Sequence, residues 1–366
     1  MKLICKLCGK VFDYPVEQIT HRHKEVELDL VPPNFWGVKD YLSEFSIDFG
    51  DFGQVITPKG VKKSTLSSGN TPLICLSKNA YIKDESLNPT GSFKDRGMET
   101  LMNEVLMHKK NKIAVVSCGS GAISTIRYAK EYGIKSLVFV HKSIDETSKK
   151  IISQADEVFY SENFIKSYED YMKYCLENDS DVFWGFLNTN ISYMLGLRTL
   201  AYEIVRDLKD TPDVIVLPCG SGMNIVAQDL AFKEMYERKI ISKMPKIAIV
   251  EIEGGNPIAQ GVASQNNSWL HVIKEPVDSK TILSNDTCFN YKNIYEMVER
   301  GEGFFVSVND SEIEHFICQN PEYAGKYDYT SLAVMPAINR LMEGNFSGKI
   351  VAVITCKNRN GGTIYE

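Results

Sequence analysis

The sequence predicts an α/β protein of two domains, in which parallel-type sheets are flanked by helices. A length of 366 residues is enough for two domains of ordinary size. From about residue 113 onward, short runs rich in Val, Ile and Phe alternate with amphipathic stretches, which is typical of parallel sheets crossed by helices. These apolar runs are nearly continuous rather than alternating, as expected for strands that are covered on both faces.

The predicted elements follow one another in alternating order. The predicted strands are Ile113–Ser117, Ser136–His141, Glu157–Tyr160, Val182–Phe186, Asp213–Pro218, Lys246–Ile252, Gly303–Ser307 and Lys349–Thr355. The predicted helices are Ala122–Tyr132, Asp145–Gln154, Phe164–Glu177, Met194–Lys209, Asn224–Glu237 and Thr330–Glu343. Residues 1–70 show polar turns and few periodic segments, so we interpret them as an N-terminal extension.

Charge and composition exclude several classes of protein. Lys and Arg number 41 against 47 Asp and Glu, a formal net charge of −6, which gives no electrostatic footprint for nucleic acid. No apolar run approaches the length of a membrane span, and the first residues lack the apolar core of a signal peptide. The nine cysteines are spread along the chain, as in reduced proteins. We therefore expect a cytoplasmic protein of the size of a metabolic enzyme.

The most informative motif is the run Asn88–Met98, NPTGSFKDRGM. Its first four residues predict a turn, because Pro fixes φ and Gly permits positive φ. A helix is expected to follow, with Lys94 in its first turn. A cation is disfavoured at the positive end of a helix, which lowers the cost of the neutral amine that Schiff-base chemistry needs. The alternative from the residues alone is an exposed lysine without a chemical role.

This run resembles the active-site signature of the threonine synthases and related pyridoxal-phosphate enzymes of the tryptophan-synthase-β fold type (fold type II), and the similarity extends over residues 35–356. The resemblance implies that Lys94 carries pyridoxal 5'-phosphate as a Schiff base and that Phe93 lies beside the cofactor. It also implies a cofactor in the cleft between a large cofactor-binding domain, residues 71–95 and 200–366, and a small mobile domain, residues 96–199.

A second motif could bind the cofactor phosphate. Glycines at two positions after a buried strand would let successive backbone amides turn toward an anion at the start of a helix. A tight turn that binds nothing is the alternative. The resemblance assigns the phosphate to Gly220, Ser221, Gly222, Met223 and Asn224.

A third motif lies at another predicted strand end, where the resemblance implies a loop that holds the substrate carboxylate. This loop contains Ser117, Cys118, Gly119, Ser120 and Gly121. Ser120 stands where the family has an asparagine that contacts the cofactor ring, and Gly121 stands in place of a threonine. Together they are expected to leave more room beside the ring. We interpret Cys118 as an inert, packed thiol.

At the last strand end, the resemblance places Thr355 opposite the pyridine nitrogen. A neutral hydroxyl does not hold that nitrogen protonated as an aspartate would, which favours elimination and replacement over transamination. From the residues alone, Thr355 is an ordinary strand residue.

The segment Asn190–Leu195 departs from the family pattern, because it lacks the arginine that helps bind the substrate phosphate. Tyr193 and Met194 stand there instead, and Lys357 and Arg359 could compensate. The predicted function is elimination or replacement at the β or γ carbon of an amino acid that bears a leaving group, with threonine formation from O-phosphohomoserine as the leading case. One alternative is a relative that acts on O-phosphoserine, serine or threonine, and another is an inactive cofactor-binding protein. A homodimer stays open.

The N-terminal residues contain half of a zinc-ribbon pattern. Cys5 and Cys8 have the Cys-x-x-Cys spacing, but no second cysteine pair follows. His21 and His23 could complete a tetrahedral site, although their spacing is shorter than usual. We expect no metal, with zinc at these four residues as the alternative.

Overall fold

The computed structural model describes residues 64–117, 119–144, 146–188, 190–255, 257–265, 290–344 and 346–359, together with the backbone of 2–5, 11–13 and 35–38. The strands are β1 (Lys2–Cys5), β2 (Val11–Asp13), β3 (Phe35–Val38), β4 (Leu73–Ser77), β5 (Ala80–Asp84), β6 (Lys112–Val116), β7 (Lys135–His141), β8 (Glu157–Ser161), β9 (Val182–Trp184), β10 (Val214–Pro218), β11 (Lys246–Ile252), β12 (Gly303–Val308) and β13 (Ile350–Ile354). The helices are α1 (Lys94–Met107), α2 (Ser120–Tyr132), α3 (Glu146–Ile152), α4 (Phe164–Glu177), α5 (Ile191–Leu197), α6 (Thr199–Leu208), α7 (Met223–Glu237), α8 (Pro257–Ala263), α9 (Tyr291–Glu299), α10 (Asp310–Gln319), α11 (Pro321–Lys326), α12 (Tyr329–Leu332) and α13 (Val334–Glu343).

The chain divides into two compact units. Unit 1 contains Lys94–Gly196 and the described residues up to Ser68, and unit 2 contains Gly69–Phe93 and the chain from Leu197 onward. The assignment of a cofactor-binding domain and a mobile domain concerns roles rather than packing, and it stays a prediction.

Unit 1 is built on a parallel sheet with the strand order β8-β7-β6-β9. Helices α2 and α4 pack against β6 and β7, so the central strands are covered and their side chains are almost all buried. This burial explains why the strands appear in the sequence as continuous apolar runs. A separate antiparallel sheet of β1, β2 and β3 belongs to the same unit, and the expectation of few regular elements before residue 70 missed it.

Unit 2 is built on a sheet with the strand order β12-β11-β10-β13-β5-β4. Every neighbouring pair is parallel except β4 and β5, which run antiparallel at one edge. All five residues of β13 are buried, and α13 packs on this strand and on β10. The predicted α/β class with parallel-type sheets is therefore confirmed, with one antiparallel edge strand that the sequence did not reveal.

Two predicted helices are each divided in the structure. The segment predicted as Met194–Lys209 forms α5 and α6, and it begins earlier because the Asn190 side chain accepts a hydrogen bond from the Tyr193 N–H at 2.7 Å, which caps α5. The segment predicted as Thr330–Glu343 forms α12 and α13, and Asp328 caps its start. Helix α10 was missed, although its Asn309–Glu312 capping box is visible in the sequence.

Within the described part of the chain, no helix has the length and apolar character needed to cross a membrane. The described side chains also include no group of three or more His, Cys, Asp or Glu that could hold a metal ion. Cys8, His21 and His23 lie outside the described residues, and only the backbone of Cys5 is described. The alternative of a zinc site at these residues therefore stays untested.

Candidate active site

Lys94 is the first residue of α1, in the first helical turn as the motif predicts. The turn before it is held by side chains as well as by backbone. Gly91 adopts a φ of +77°, a conformation that favours glycine, and its N–H donates to the Asn88 carbonyl at 2.7 Å. The Asn88 amide in turn donates to a Glu85 carboxylate oxygen at 2.8 Å. Lys94 is half-buried.

The residues just before Lys94 pair with the chain that leaves β13. The Phe93 N–H donates to the Thr355 carbonyl at 3.0 Å, and the Lys357 N–H donates to the Gly91 carbonyl at 2.9 Å. Ser92 and Cys356 form an antiparallel bridge between these two bonds. Residues 91–93 of unit 2 are therefore anchored to the segment that follows β13 and contains Thr355.

The first turn of α1 is packed tightly against α5 in unit 1. A Cβ added at Gly97 would lie 2.3 Å from Cδ2 of the Tyr193 ring, and one added at Gly196 would lie 2.0 Å from the Arg96 carbonyl oxygen. Both positions thus require glycine for this approach. The Lys94 Nζ lies 6.0 Å from the centroid of the Tyr193 ring, so the structure brings Lys94 and Tyr193 together.

A buried carboxyl group also joins α1 to the start of α5. Glu104 accepts a hydrogen bond from the Asn190 amide at 3.0 Å. Burial raises the pKa of Glu104 to about 7, against the opposing effect of hydrogen bonds from Asn190 and Ser192. This carboxyl group holds the segment that carries Tyr193.

The predicted carboxylate loop lies at the start of α2. Ser117 follows β6, Gly119 occupies the position before the helix, and Ser120 is its first residue. Cys118 lies outside the described residues. A Cβ added at Gly121 would lie 2.7 Å from the Ser117 Oγ and 2.8 Å from the Leu187 Cδ1, and the room expected beside the cofactor ring stays a prediction.

In unit 2, the predicted phosphate turn joins β10 to α7. Gly222 precedes the helix with a φ of +80°. Gly220 lies outside the positive-φ region, and a Cβ added there would have no atom within 4 Å. A residue distant in the chain stabilises the turn, since the Asn290 amide donates to the Ser221 carbonyl at 2.9 Å. The result is an open space beside the positive end of a helix of 15 residues.

Asn224, in the first turn of α7, offers a further donor at this turn. Its Oδ1 accepts a hydrogen bond from the Gln228 amide at 2.8 Å, which fixes the orientation of the Asn224 amide group. The Nδ2 is buried and has no hydrogen-bond partner among the described residues. A buried amide donor costs free energy unless an acceptor satisfies it. An anion at the turn would satisfy this donor.

Thr355 lies immediately after β13, and its side chain is buried. Its hydroxyl is 2.9 Å from the hydroxyl of Ser331, a fully buried residue on α12. The same Ser331 oxygen accepts the Cys356 N–H at 2.9 Å. The sequence analysis missed Ser331, because a serine in a helix carries no motif that marks such a contact.

Two lysines other than Lys94 lie in or near the motif segments. Lys83 is fully buried, and its Nζ contacts Glu203 at 3.0 Å, Asp207 at 2.8 Å and the Thr71 carbonyl at 2.6 Å. These contacts engage its ammonium group in a structural network. Lys357 is half-buried, and its stem would lie 2.4 to 2.6 Å from a Cβ added at Gly91. It therefore lies against the turn that precedes Lys94.

Residues 65–356 match the family model described as "Pyridoxal-phosphate dependent enzyme". This match covers most of the chain. The protein belongs to the pyridoxal-phosphate dependent enzymes. The cofactor is thus pyridoxal 5'-phosphate, and the expectation of a fold type II enzyme of this kind is confirmed.

Curated relatives of this pyridoxal-phosphate dependent enzyme include threonine synthases. The threonine synthase of Bacillus sp. (strain ULM1) is 31% identical over 262 residues, which cover 69% of this chain and 70% of that protein. The threonine synthase of Methanocaldococcus jannaschii is 25% identical over 328 residues, which cover 84% and 79%. The predicted resemblance to threonine synthases is confirmed by these matches.

Solved structures share the fold of this chain. Threonine deaminase isoform 2 from Solanum lycopersicum aligns with a TM-score of 0.68 at 18% identity, covering 81% of this chain and 82% of that one. A fungal L-serine ammonia-lyase from Rhizomucor miehei aligns with a TM-score of 0.67 at 18% identity, covering 81% and 96%. At this level of identity the likeness concerns the fold alone.

Each of the candidate positions, taken by itself, suits this cofactor. Lys94 supplies an amine at a helix start, and the turn at Gly220 supplies space for an anion with the Asn224 amide still lacking an acceptor. Thr355 supplies a hydroxyl that the Ser331 side chain holds in place. The roles of individual residues remain predictions.

Proposed function

We propose that this pyridoxal-phosphate enzyme holds its cofactor on Lys94 and catalyses elimination or replacement at the β or γ carbon of a small amino acid. Threonine formation from O-phosphohomoserine is the leading case, and relatives named threonine synthase that share about 70% of their length with this chain support it. The observation that carries the proposal is the pairing of residues 91–93 with residues 355–357. It anchors the lysine motif to the strand end whose threonine would face the cofactor ring.

When bound, pyridoxal phosphate withdraws electrons from the α-carbon of an attached amino acid and so eases the loss of a proton and of a leaving group. Lys94 would hold the cofactor through its ε-amine and, once the substrate amine has taken its place, move the proton at Cα. The start of a helix suits this work, because the helix dipole disfavours the ammonium form.

The other residues would bind and orient the cofactor and the substrate. The turn Gly220–Asn224 would bind the phosphate with backbone N–H groups and the Asn224 amide. Thr355 would face the ring nitrogen, and a hydrogen bond from Ser331 to Thr355 would leave the threonine proton available for that nitrogen. The loop Ser117–Gly121, at the start of α2, would bind the substrate carboxylate.

A second candidate is a relative that acts on serine, threonine or O-phosphoserine. The observation that favours it is Tyr193, which lies beside Lys94 in the segment where the family resemblance implies an arginine. Loss of a charge-assisted contact of this kind weakens binding about ten- to a hundredfold. Lys357, against the turn at Gly91, is the residue we propose for compensating contact with a substrate phosphate.

A substrate panel separates these candidates. The protein is loaded with pyridoxal phosphate and mixed with O-phospho-L-homoserine, O-phospho-L-serine, L-serine or L-threonine. The leading case predicts equal release of phosphate and threonine from the first compound. Release of ammonia and a 2-oxo acid from the other three, with phosphate released as well from O-phospho-L-serine, supports the second candidate. A loaded protein that turns over none of the four would contradict both and favour an inactive cofactor-binding protein.

A further inference from the structure

Tyr193 is held in one position on the first turn of α1. The Asn190 cap fixes the start of α5, and the Thr100 hydroxyl donates to the Ser192 carbonyl at 2.5 Å. The Tyr193 ring lies directly over Gly97, where even a methyl group would overlap it. Its side chain is fully buried. A ring fixed by a cap, a neighbouring carbonyl and a glycine has little freedom to move away.

The position of this ring also places it beside the candidate catalytic lysine. Residues three apart in a helix lie on the same face, so a group that covers Gly97 lies next to Lys94. The separation of 6.0 Å between the Lys94 Nζ and the ring centroid agrees with this. Both residues belong to unit 1.

The phenol group of Tyr193 has no hydrogen-bond partner among the described residues, although it is buried. Burial, reinforced by the negative charge of Asp95, raises the pKa of this phenol well above its ordinary value. The hydroxyl therefore keeps its proton at every working pH and acts as a donor. A buried donor without an acceptor is unfavourable, and in proteins nearly all such groups are satisfied.

We propose that the Tyr193 hydroxyl is a ligand-binding group of the Lys94 site, which donates a hydrogen bond to an oxygen atom of the molecule bound there. This inference rests on the proposed role of Lys94. The acceptor is an anionic or hydroxyl oxygen, and it can belong either to the cofactor or to the amino-acid substrate. In both cases the bond is made only when the site is occupied, so the apo protein gains nothing from the hydroxyl.

The test is the Tyr193→Phe variant, which keeps the ring over Gly97 and removes only the oxygen. The control is Tyr171→Phe, which removes a hydroxyl from another fully buried tyrosine of unit 1, on α4 against the Phe139 ring. For each protein we would measure the melting temperature of the apo form, the dissociation constant of pyridoxal phosphate, and the dissociation constants of L-serine and O-phospho-L-homoserine for the loaded form, followed by the absorbance of the cofactor.

For Tyr193→Phe we expect an apo melting temperature equal to or above that of the wild type. We also expect the affinity for at least one of the three ligands, pyridoxal phosphate, L-serine or O-phospho-L-homoserine, to be lower by about tenfold or more. A loss confined to pyridoxal phosphate assigns the acceptor to the cofactor, and a loss confined to the amino acids assigns it to the substrate. Tyr171→Phe should bind every ligand as the wild type does. Wild-type affinity of Tyr193→Phe for all three ligands, as when a buried water satisfies the hydroxyl, overturns the proposal.

This outcome is distinct from failure of the proposed function. If the wild-type protein binds pyridoxal phosphate but Tyr193→Phe changes none of the dissociation constants, only the proposed role of Tyr193 is rejected. If the wild type forms no covalently bound cofactor at all, the role of Lys94 falls, and with it this inference.

Discussion

Glycines near the first turn of α1 and at the start of α7 serve opposite purposes. In unit 1, a Cβ at Gly97 or Gly196 would overlap a tyrosine ring or a backbone carbonyl. In unit 2, a Cβ at Gly220 would meet no atom within 4 Å. Gly97 and Gly196 permit close packing between helices, whereas Gly220 leaves an open space beside a helix start. The surroundings of a glycine thus distinguish a structural role from a ligand-binding role.

The largest effect, on the stability of the protein, is expected at Gly196, where the two helices are tightly packed. Gly196→Ala should destabilise the protein by about 3 kcal/mol or more, because the methyl group would overlap the backbone of Arg96 rather than a flexible side chain. Helix propensity alone would give the opposite sign, a gain of about 1 kcal/mol. Urea unfolding of the apo protein measures the difference. Gly325→Ala, in α11 with no neighbour within 4 Å, is the matched control and should not destabilise.

At Gly220 we expect the opposite, a loss of cofactor affinity without a loss of stability. Gly220→Val should leave the apo melting temperature close to that of the wild type, because a Cβ at this position would have no atom within 4 Å. Its side chain would occupy the space proposed for the phosphate, so the affinity for pyridoxal phosphate should fall by about a hundredfold. Gly325→Val should change neither quantity. A Gly220→Val protein that binds the cofactor normally would show that the open space has another use.

Asn224→Asp tests the same turn through charge instead of volume. The carboxylate can still accept the hydrogen bond from Gln228, but it replaces the buried amide donor with a negative charge. Repulsion of the phosphate should weaken cofactor binding by about a hundredfold. Fluorescence titration with pyridoxal phosphate provides the measurement. Binding that depends no more on this residue than on Gly325 would remove Asn224 from the site.

A smaller effect is expected on the pH dependence of stability, and it concerns Glu104 on the tightly packed helix α1 of unit 1. Its folded pKa of about 7 lies above the ordinary value of 4.5, so the folded state binds more protons than the unfolded state between these values. Stability should therefore fall as the pH rises from about 5 to 7, by about 2 kcal/mol from this group, and level off above that. Glu104→Gln should remove this part of the slope while it keeps an acceptor for Asn190.

The comparison uses the wild type and the variant at each pH. Burial also raises the pKa values of Glu234 and Glu251 to about 7, so only the difference between the two proteins reports on Glu104. Parallel pH profiles for wild type and variant would show that Glu104 titrates normally.

Much of the fold could be predicted from the sequence. The central strands are buried on both faces, so apolar runs such as Asp213–Pro218 mark them directly, and β10 differs from that prediction by a single residue. The first turn of α1 could be placed because Pro89 and Gly91 have strong local preferences. Local signals were weaker for β4, an antiparallel edge strand with several partly exposed residues.

The detailed arrangement of the candidate site could not be predicted, because it depends on residues far apart in the chain. Gly97 and Gly196 look like ordinary helix glycines until the two helices are packed together. Ser331 contacts Thr355 across 24 positions, and no local pattern marks it. The lack of an arginine within Asn190–Leu195 was visible in the sequence, but the position of the Tyr193 ring beside Lys94 was not.

The most direct test of the central claim is to identify the lysine that carries the cofactor. The protein is loaded with pyridoxal phosphate, reduced with borohydride to make the attachment permanent, and digested for peptide mapping by mass spectrometry. We predict that the cofactor is found on the peptide containing Lys94 and that Lys94→Ala, which should fold normally, carries no label. A label on Lys83, Lys357 or any other lysine of the wild type would contradict the account.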